Sequence, residues 1–113
     1  MLKIYHNNRC SKSRETLAIL NENVKDIEVF NYLEEAIPEK ELRFIIEKLG
    51  IAPLELIRKG EQIFKDNYKG KNLSDEEWVQ AMLSNPKLIE RPIVINDNKV
   101  VIGRPPKKVL DIL

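Results

Sequence analysis

The sequence predicts an α/β fold, a mixed four-stranded sheet with helices packed on it. Three observations predict it. The first thirty residues read strand, helix, strand, which implies a parallel pair joined by a crossover. The last quarter carries two apolar runs around a polar turn and then a proline-led helical stretch. Between them, from about 35 to 90, the pattern is helical. The 113 residues suit one domain, 1–113, with the helical stretch as an insert between an N-terminal βαβ part and a C-terminal ββα part.

Leu2 and Ile4 alternate with Lys3 and Tyr5, the period of a short strand. The polar run from His6 to Ser13 reads as a loop rich in capping types, and Ser11 or Ser13 is expected to cap the helix that follows. Leu17, Leu20 and Val24 give that helix its apolar stripe. Ile27 and Val29 share one face of a second strand. Pro38 is placed as a first-turn proline. Leu42, Ile45, Ile46 and Leu49 then make an i, i+3, i+4, i+7 stripe that Gly50 ends. Pro53 opens a short segment through Arg58. Ser74 and Glu77 match a capping box, Leu73 and Trp78 a hydrophobic staple, and Asn85-Pro86 ends the helix between them. Pro92–Ile95 and Val100–Ile102 flank Asn96-Asp97-Asn98-Lys99 as a hairpin, and Gly103 ends it. Pro105-Pro106 starts a last helix expected to turn Val109, Leu110 and Leu113 to one side. This is also the element order of a thioredoxin-like core interrupted by helices.

Composition excludes several classes of function. Nineteen Lys and Arg balance eighteen Asp and Glu, and a net charge of +1 provides no field that argues for nucleic acid or membrane binding. No apolar run approaches the roughly 20 residues of a membrane span, and the first residues show no secretion signal. A cytoplasmic protein is expected. A single cysteine, Cys10, excludes an internal disulfide and a cysteine-built zinc site. A single histidine, His6, excludes a His-His metal motif and leaves a Ser-His pair one candidate.

Cys10 falls in the turn between the first strand and the first helix. Unpaired N–H groups and the positive dipole end favour an anion at a helix start, so a thiol there ionises readily. Arg9 and Arg14 add positive charge nearby in sequence. A buried cysteine used as apolar filler is the alternative, and the polar neighbours Asn7, Asn8, Arg9, Ser11, Lys12 and Ser13 argue against it. Cys10-Ser11-Lys12-Ser13 is C-x-x-S, so a sulfur intermediate on Cys10 needs an external thiol for release. Arg58, Arg91 and Arg104 stand at element edges, and guanidinium groups grip tetrahedral oxyanions through paired donors. Each alone reads as a surface ion pair; together with the thiol they suggest an anion cradle. Arg91-Pro92 is either a cis bond or a trans edge-strand proline. His6 either orients groups near Cys10 or is structural. Asn7 reads as a turn residue, Lys12 and Lys59 as solvated charges, and Trp78 with Met82 and Leu83 as core of the insert.

His6-Asn7-x-x-Cys10-x-x-Ser13-Arg14-x-Thr16-Leu17 resembles the active-site motif of the glutaredoxin-coupled arsenate reductase (ArsC) family. Leu56-Ile57-Arg58-Lys59, Glu90-Arg91-Pro92-Ile93-Val94 and Gly103-Arg104-Pro105 resemble its second, third and fourth motifs, in the right order over essentially the whole chain. The resemblance implies a thioredoxin-like fold with a helical insertion. It implies Cys10 as nucleophile and Arg58, Arg91 and Arg104 as ligands of arsenate and its covalent adduct. His6 would support the loop and the thiolate, Ser13 and Arg14 would shape the thiolate site, and Pro92 would be the cis proline facing the cysteine. It implies no metal and no bound cofactor, glutathione as co-substrate, glutaredoxin as partner, and a monomer. Members of the family usually carry a proline and a small residue just before the cysteine; this chain has Asn8 and Arg9. Two other functions fit the same fold: a thiol protein that reduces glutathionylated partners, and a redox regulator that binds RNA polymerase. The second typically uses C-x-x-C, which Ser13 removes here.

Overall fold

The computed structural model describes residues 2–113. The chain forms two compact units. One takes the chain up to Glu35 and resumes at Arg91; the other is Ala36–Glu90.

The first unit holds β1 (Leu2–Tyr5), α1 (Ser11–Asn23), β2 (Ile27–Phe30), β3 (Ile93–Asn96) and β4 (Lys99–Ile102), and ends in a 3₁₀ helix, Pro106–Ile112. The sheet order is β2-β1-β3-β4. β1 runs parallel to β2, with Leu2 opposite Ile27, and antiparallel to β3, with Leu2 opposite Asn96. Period two turns Leu2 and Ile4 to one face, where they pack with Leu20, Val94, Val109 and Ile112. Leu17, Val24 and Ile27 complete that layer, as their spacing predicts. Each fully buried Leu or Ile contributes about 1.5–3 kcal/mol over leaving it exposed.

The hairpin is tighter than its sequence pattern suggests. Asn96 pairs with Lys99, so the turn is only Asp97-Asn98, and Asp97 takes a positive φ of 55°. Two-residue hairpins need such a conformation, and Asp tolerates it. Asn96 Nδ2 also donates to the Ile112 carbonyl at 2.6 Å, tying the hairpin to the last helix. That helix corrects the expected face. Val109 and Ile112 are buried, while Leu110 and Leu113 are exposed. Three residues per turn align 109 with 112; the expected stripe assumed an α-helical period. Val29 on the edge strand β2 is also 41% exposed.

The second unit holds α2 (Glu39–Leu49), α3 (Gln62–Asn67) and α4 (Asp75–Ser84), with 3₁₀ turns at Pro53–Leu56 and Pro86–Leu88. Leu42, Ile45 and Ile46 are buried on α2, and Gly50 ends it in the left-handed region at φ 67°. Pro38 is the N-cap of α2 and lies one residue before its first turn. Ser74 and Glu77 form the predicted capping box. Trp78 stacks on Phe64 at 6.1 Å and tilts against Tyr68 at 5.9 Å. α3 has six residues and buries only Phe64, too short for a periodic signal. Ile57 and Ile89 form an antiparallel bridge that joins the segments around Arg58 and Glu90. No helix among the described residues is long and apolar enough to cross a membrane.

Candidate active site

The loop after β1 is built from short polar side chains. The His6 N–H donates to the Phe30 carbonyl at 2.9 Å and carries the parallel pairing one residue past the strand. Asn7 then turns the chain: its Oδ1 accepts from the Arg9 N–H at 2.9 Å, and its carbonyl accepts from the Cys10 N–H at 3.0 Å. Cys10 is the N-cap of α1, with extended backbone, and its carbonyl accepts the Arg14 N–H at 3.0 Å. The cap is therefore neither Ser11 nor Ser13.

Ser13 faces the other way. Its Oγ accepts from the Asn7 N–H at 3.0 Å and lies 2.7 Å from His6 Nδ1. His6 Nε2 lies 2.6 Å from Asn8 Oδ1. Asn8 Oδ1 can only accept, so in the neutral imidazole Nε2 donates to it and Ser13 Oγ donates to Nδ1. His6 and Ser13 thus form a buried hydrogen-bonded pair that pins the loop to the first turn of α1, with His6 2% and Ser13 0% exposed. Arg14 Nη1 adds a surface tie to the Asn8 carbonyl at 3.2 Å. Arg9 and Lys12 point to solvent, and Lys12 makes only a loose pair with Glu15 at 3.8 Å.

The second wall comes from the two ends of the β3–β4 hairpin. The peptides Arg91-Pro92 and Arg104-Pro105 are both cis. The Gly103 N–H donates to the Pro92 carbonyl at 2.8 Å, and Arg104 Nε to the Arg91 carbonyl at 2.6 Å. A Cβ on Gly103 would lie 2.8 Å from Thr16 Oγ1 and 2.9 Å from Pro92 Cγ. Only glycine lets the hairpin approach α1 this closely. Arg104 Nη2 stands 3.6 Å from Cys10 Sγ, and the Arg91 guanidinium also hydrogen-bonds the sulfur.

Cys10 is partly exposed. Burial pushes its thiol up; the Ser13 N–H, the hydrogen bond and charge of Arg91, and the Lys12 N–H outweigh that, and the pKa is lowered. The sulfur is thus partly exposed, readily ionised and beside two guanidinium groups. On the Asn8–Arg9 side of the loop, a cleft of about 210 Å³ is lined by His6, Asn7, Asn8, Arg9, Asn31, Leu33 and Glu34.

Arg58 belongs to the second unit. Its Nη1 donates to Glu90 Oε1 at 2.6 Å, and its Nε lies 3.7 Å from Glu61 Oε1. Lys59 is exposed. Among the described residues no group of His, Cys, Asp or Glu could hold a metal ion.

Four contributions escaped the sequence reading. In sequence Asn8 reads as a loop residue and a departure from the family's pattern, Gly103 as a terminator, Thr16 as part of a motif, and Glu90 as the neighbour of Arg91. The clue for Gly103 was its place against Arg104-Pro105; nothing in the sequence pointed to Glu90 as partner of Arg58.

The ArsC family model matches residues 5–112. An uncharacterized Escherichia coli protein, YfgD, is 49% identical to the chain, over 99% of this chain and 96% of its own. The arsenate reductase of Haemophilus influenzae is 45% identical over 97% of both chains. The solved structure of an arsenate reductase from Vibrio cholerae is 42% identical, superposes with a TM-score of 0.92, and covers 99% of this chain and 97% of that one.

Proposed function

The chain belongs to the ArsC family, and from that premise we propose that it reduces arsenate or a similar oxyanion through Cys10. The observation that carries the reading is the Cys10 sulfur at the start of α1, with a lowered pKa and guanidinium groups of Arg91 and Arg104 beside it. Both units act as one functional domain in this reading, with Arg58 as a third oxyanion ligand.

The Cys10 thiolate attacks arsenic; an S–As bond forms, and a hydroxyl of arsenate takes a proton and leaves as water. The guanidinium groups offset the charge of the oxyanion and of the adduct. Glutathione then attacks the adduct, and glutaredoxin takes over the glutathionyl group. Two thiols become one disulfide and arsenic takes their two electrons; water then cleaves the S–As bond, so that arsenite leaves and Cys10 returns as a thiol. The external thiols are needed because Ser13 holds the place of a resolving cysteine, and its hydroxyl is committed to His6 and Asn7. His6, Ser13 and Arg14 keep the loop in shape, and Pro92 forms the wall facing the cysteine. No bound cofactor or metal takes part. The protein works as a monomer in the reducing cytoplasm.

A coupled assay with arsenate, glutathione, glutaredoxin and NADPH tests this. Arsenate-dependent NADPH loss is expected. Folded protein with a free thiol that shows none, yet deglutathionylates a peptide, would replace arsenate chemistry with general thiol chemistry.

A further inference from the structure

Arg58 is held by its own unit in a way that surface arginines are not. The Ile57–Ile89 bridge fixes the backbone of both partners: the Arg58 N–H donates to the Leu88 carbonyl at 2.7 Å, and the Glu90 N–H to the Leu56 carbonyl at 2.8 Å. Leu56, Ile57, Leu88 and Ile89 are all buried, which anchors both segments. The two side chains are only 24% and 25% exposed, and they meet at 2.6 Å. Arg43 is different. It reaches Glu39 and Glu76 from an exposed helix face, and all three side chains are over 40% exposed.

The geometry also sorts the donors of Arg58. Nη1 is taken by Glu90. Nε is buried, has no hydrogen-bond acceptor, and sees Glu61 only at ion-pair distance, 3.7 Å. A guanidinium is planar, so a bond at Nη1 fixes the direction of the two N–H groups on Nη2.

We propose that Glu90 is a positioning residue: its carboxylate holds the Arg58 guanidinium by Nη1 and so presents Nη2 to the oxyanion. The proposal rests on the reading of Arg58 as an oxyanion ligand. A carboxylate at Nη1 also offsets positive charge, so orientation and charge act in opposite directions. If Glu90 positions Arg58, losing the acceptor weakens oxyanion binding. If it merely neutralises Arg58, losing its charge strengthens binding.

The test is a cycle of Arg58→Ala, Glu90→Ala and the double variant, with Glu90→Gln alongside. One readout is the arsenate or sulfate concentration that half-protects Cys10 from iodoacetamide; the other is the arsenate KM and kcat. Glu90→Ala should raise the half-protecting concentration and KM about tenfold, with kcat within about threefold of the parent. Glu90→Gln, which keeps an acceptor in place, should stay within about threefold of the parent on both. In the Arg58→Ala background, Glu90→Ala should have no further effect, since it acts through Arg58. An unchanged or lowered half-protecting concentration in Glu90→Ala, beside a raised one in Arg58→Ala, overturns the inference alone. So does an effect of Glu90→Ala that persists without Arg58. No effect from Arg58→Ala overturns the reading of Arg58 itself and the inference with it. Thermal melts check folding. Glu90→Asp, whose carboxylate is withdrawn by one methylene, should show a smaller rise, and its equality with the parent overturns the inference should the Ala variant not fold.

Discussion

In the sheet unit, Arg91 and Arg104 turn their guanidinium groups to a sulfur atom; in the helical unit, Arg58 turns Nη1 to a carboxylate at 2.6 Å. The same side chain therefore does opposite electrostatic work. At Cys10, the hydrogen bond and positive charge of Arg91 favour loss of the thiol proton. At Arg58, the positive charge is already matched and only geometry remains to be used. The two regions also differ in how they are fastened. The thiol loop is tied by buried hydrogen bonds and a close approach at Gly103, and the helical unit by end caps and exposed ion pairs. Buried polar ties are costly to break; exposed ones are not.

The largest expected effect is the loss of the sulfur. Cys10→Ser should abolish arsenate-dependent turnover in the coupled assay, by on the order of 10³-fold or more, because a hydroxyl is a far weaker nucleophile at neutral pH. Circular dichroism should be unchanged, since Cys10 caps α1 with its backbone and makes no side-chain cap bond. Retained turnover would move the chemistry away from this loop and remove one side of the comparison.

Arg91→Ala comes next. It should cost on the order of 10²-fold in kcat/KM, the loss of one charged donor at the reacting group. It also tests the electrostatic contrast directly. Burial raises the Cys10 pKa and would now be less opposed, so the pH profile of iodoacetamide alkylation should shift upward. The sign carries into stability. The folded thiol has the lower pKa, so its ionisation contributes stability that is fully present above the unfolded value and is lost as pH falls through the folded one. Denaturant melts across that window should show a smaller pH dependence in Arg91→Ala. An unmoved alkylation profile would mean that the helix N–H groups alone hold the thiolate.

The legible parts of this molecule share one property: their cause lies within a few residues of sequence. The cap of α4 is written in Ser74 and Glu77, and the stop of α2 in Gly50, where a left-handed residue was needed. The β-strand and α-helix periods were enough for the four strands and the stripes of α1 and α2. The place of Cys10 at a helix start was legible too. What Ser13 does was not, because the same hydroxyl suits an N-cap and a buried acceptor, and only the fold brings His6 to it. The face of the last helix is not legible either, because Leu110 and Leu113 suit an α period and Val109 and Ile112 a 3₁₀ one. Arg104 and Cys10 are 94 residues apart, and Arg58 and Glu90 are 32 apart. Motifs could suggest that arginines mattered; they held no information on which one meets a carboxylate.

Gly103→Ala probes the close approach that the sheet unit depends on. The added methyl would meet Thr16 Oγ1 and Pro92 Cγ at under 3 Å, and the proline ring cannot turn aside. A loss of about 1–3 kcal/mol in urea melts is expected. The hairpin end would be pushed from α1, so Arg104 should also leave the sulfur and alkylation at fixed pH should slow. Destabilisation with unchanged alkylation would separate the packing of Gly103 from the placing of Arg104.

The smallest effect belongs to the helical unit and should stay there. In α4 the Glu77 N–H donates to Ser74 Oγ at 3.2 Å, and the Ser74 N–H donates to Glu77 Oε1 at 3.0 Å. Ser74→Ala removes the first bond and should cost about 1 kcal/mol. The Ser74 N–H, then its hydroxyl, hold the Glu77 carboxyl below its usual range. A depressed carboxyl adds stability that is present above its unfolded pKa and lost as pH falls through the folded one. The gap between parent and variant should therefore narrow in acid, as Glu77 protonates in both. Cys10 alkylation in Ser74→Ala should match the parent, because the bonds of the cap lie within the first turn of α4. A change there would show that the fastening of the helical unit feeds into the sulfur site, and the contrast between a region tuned by charge and a region tuned by geometry would have to give way to a coupled one.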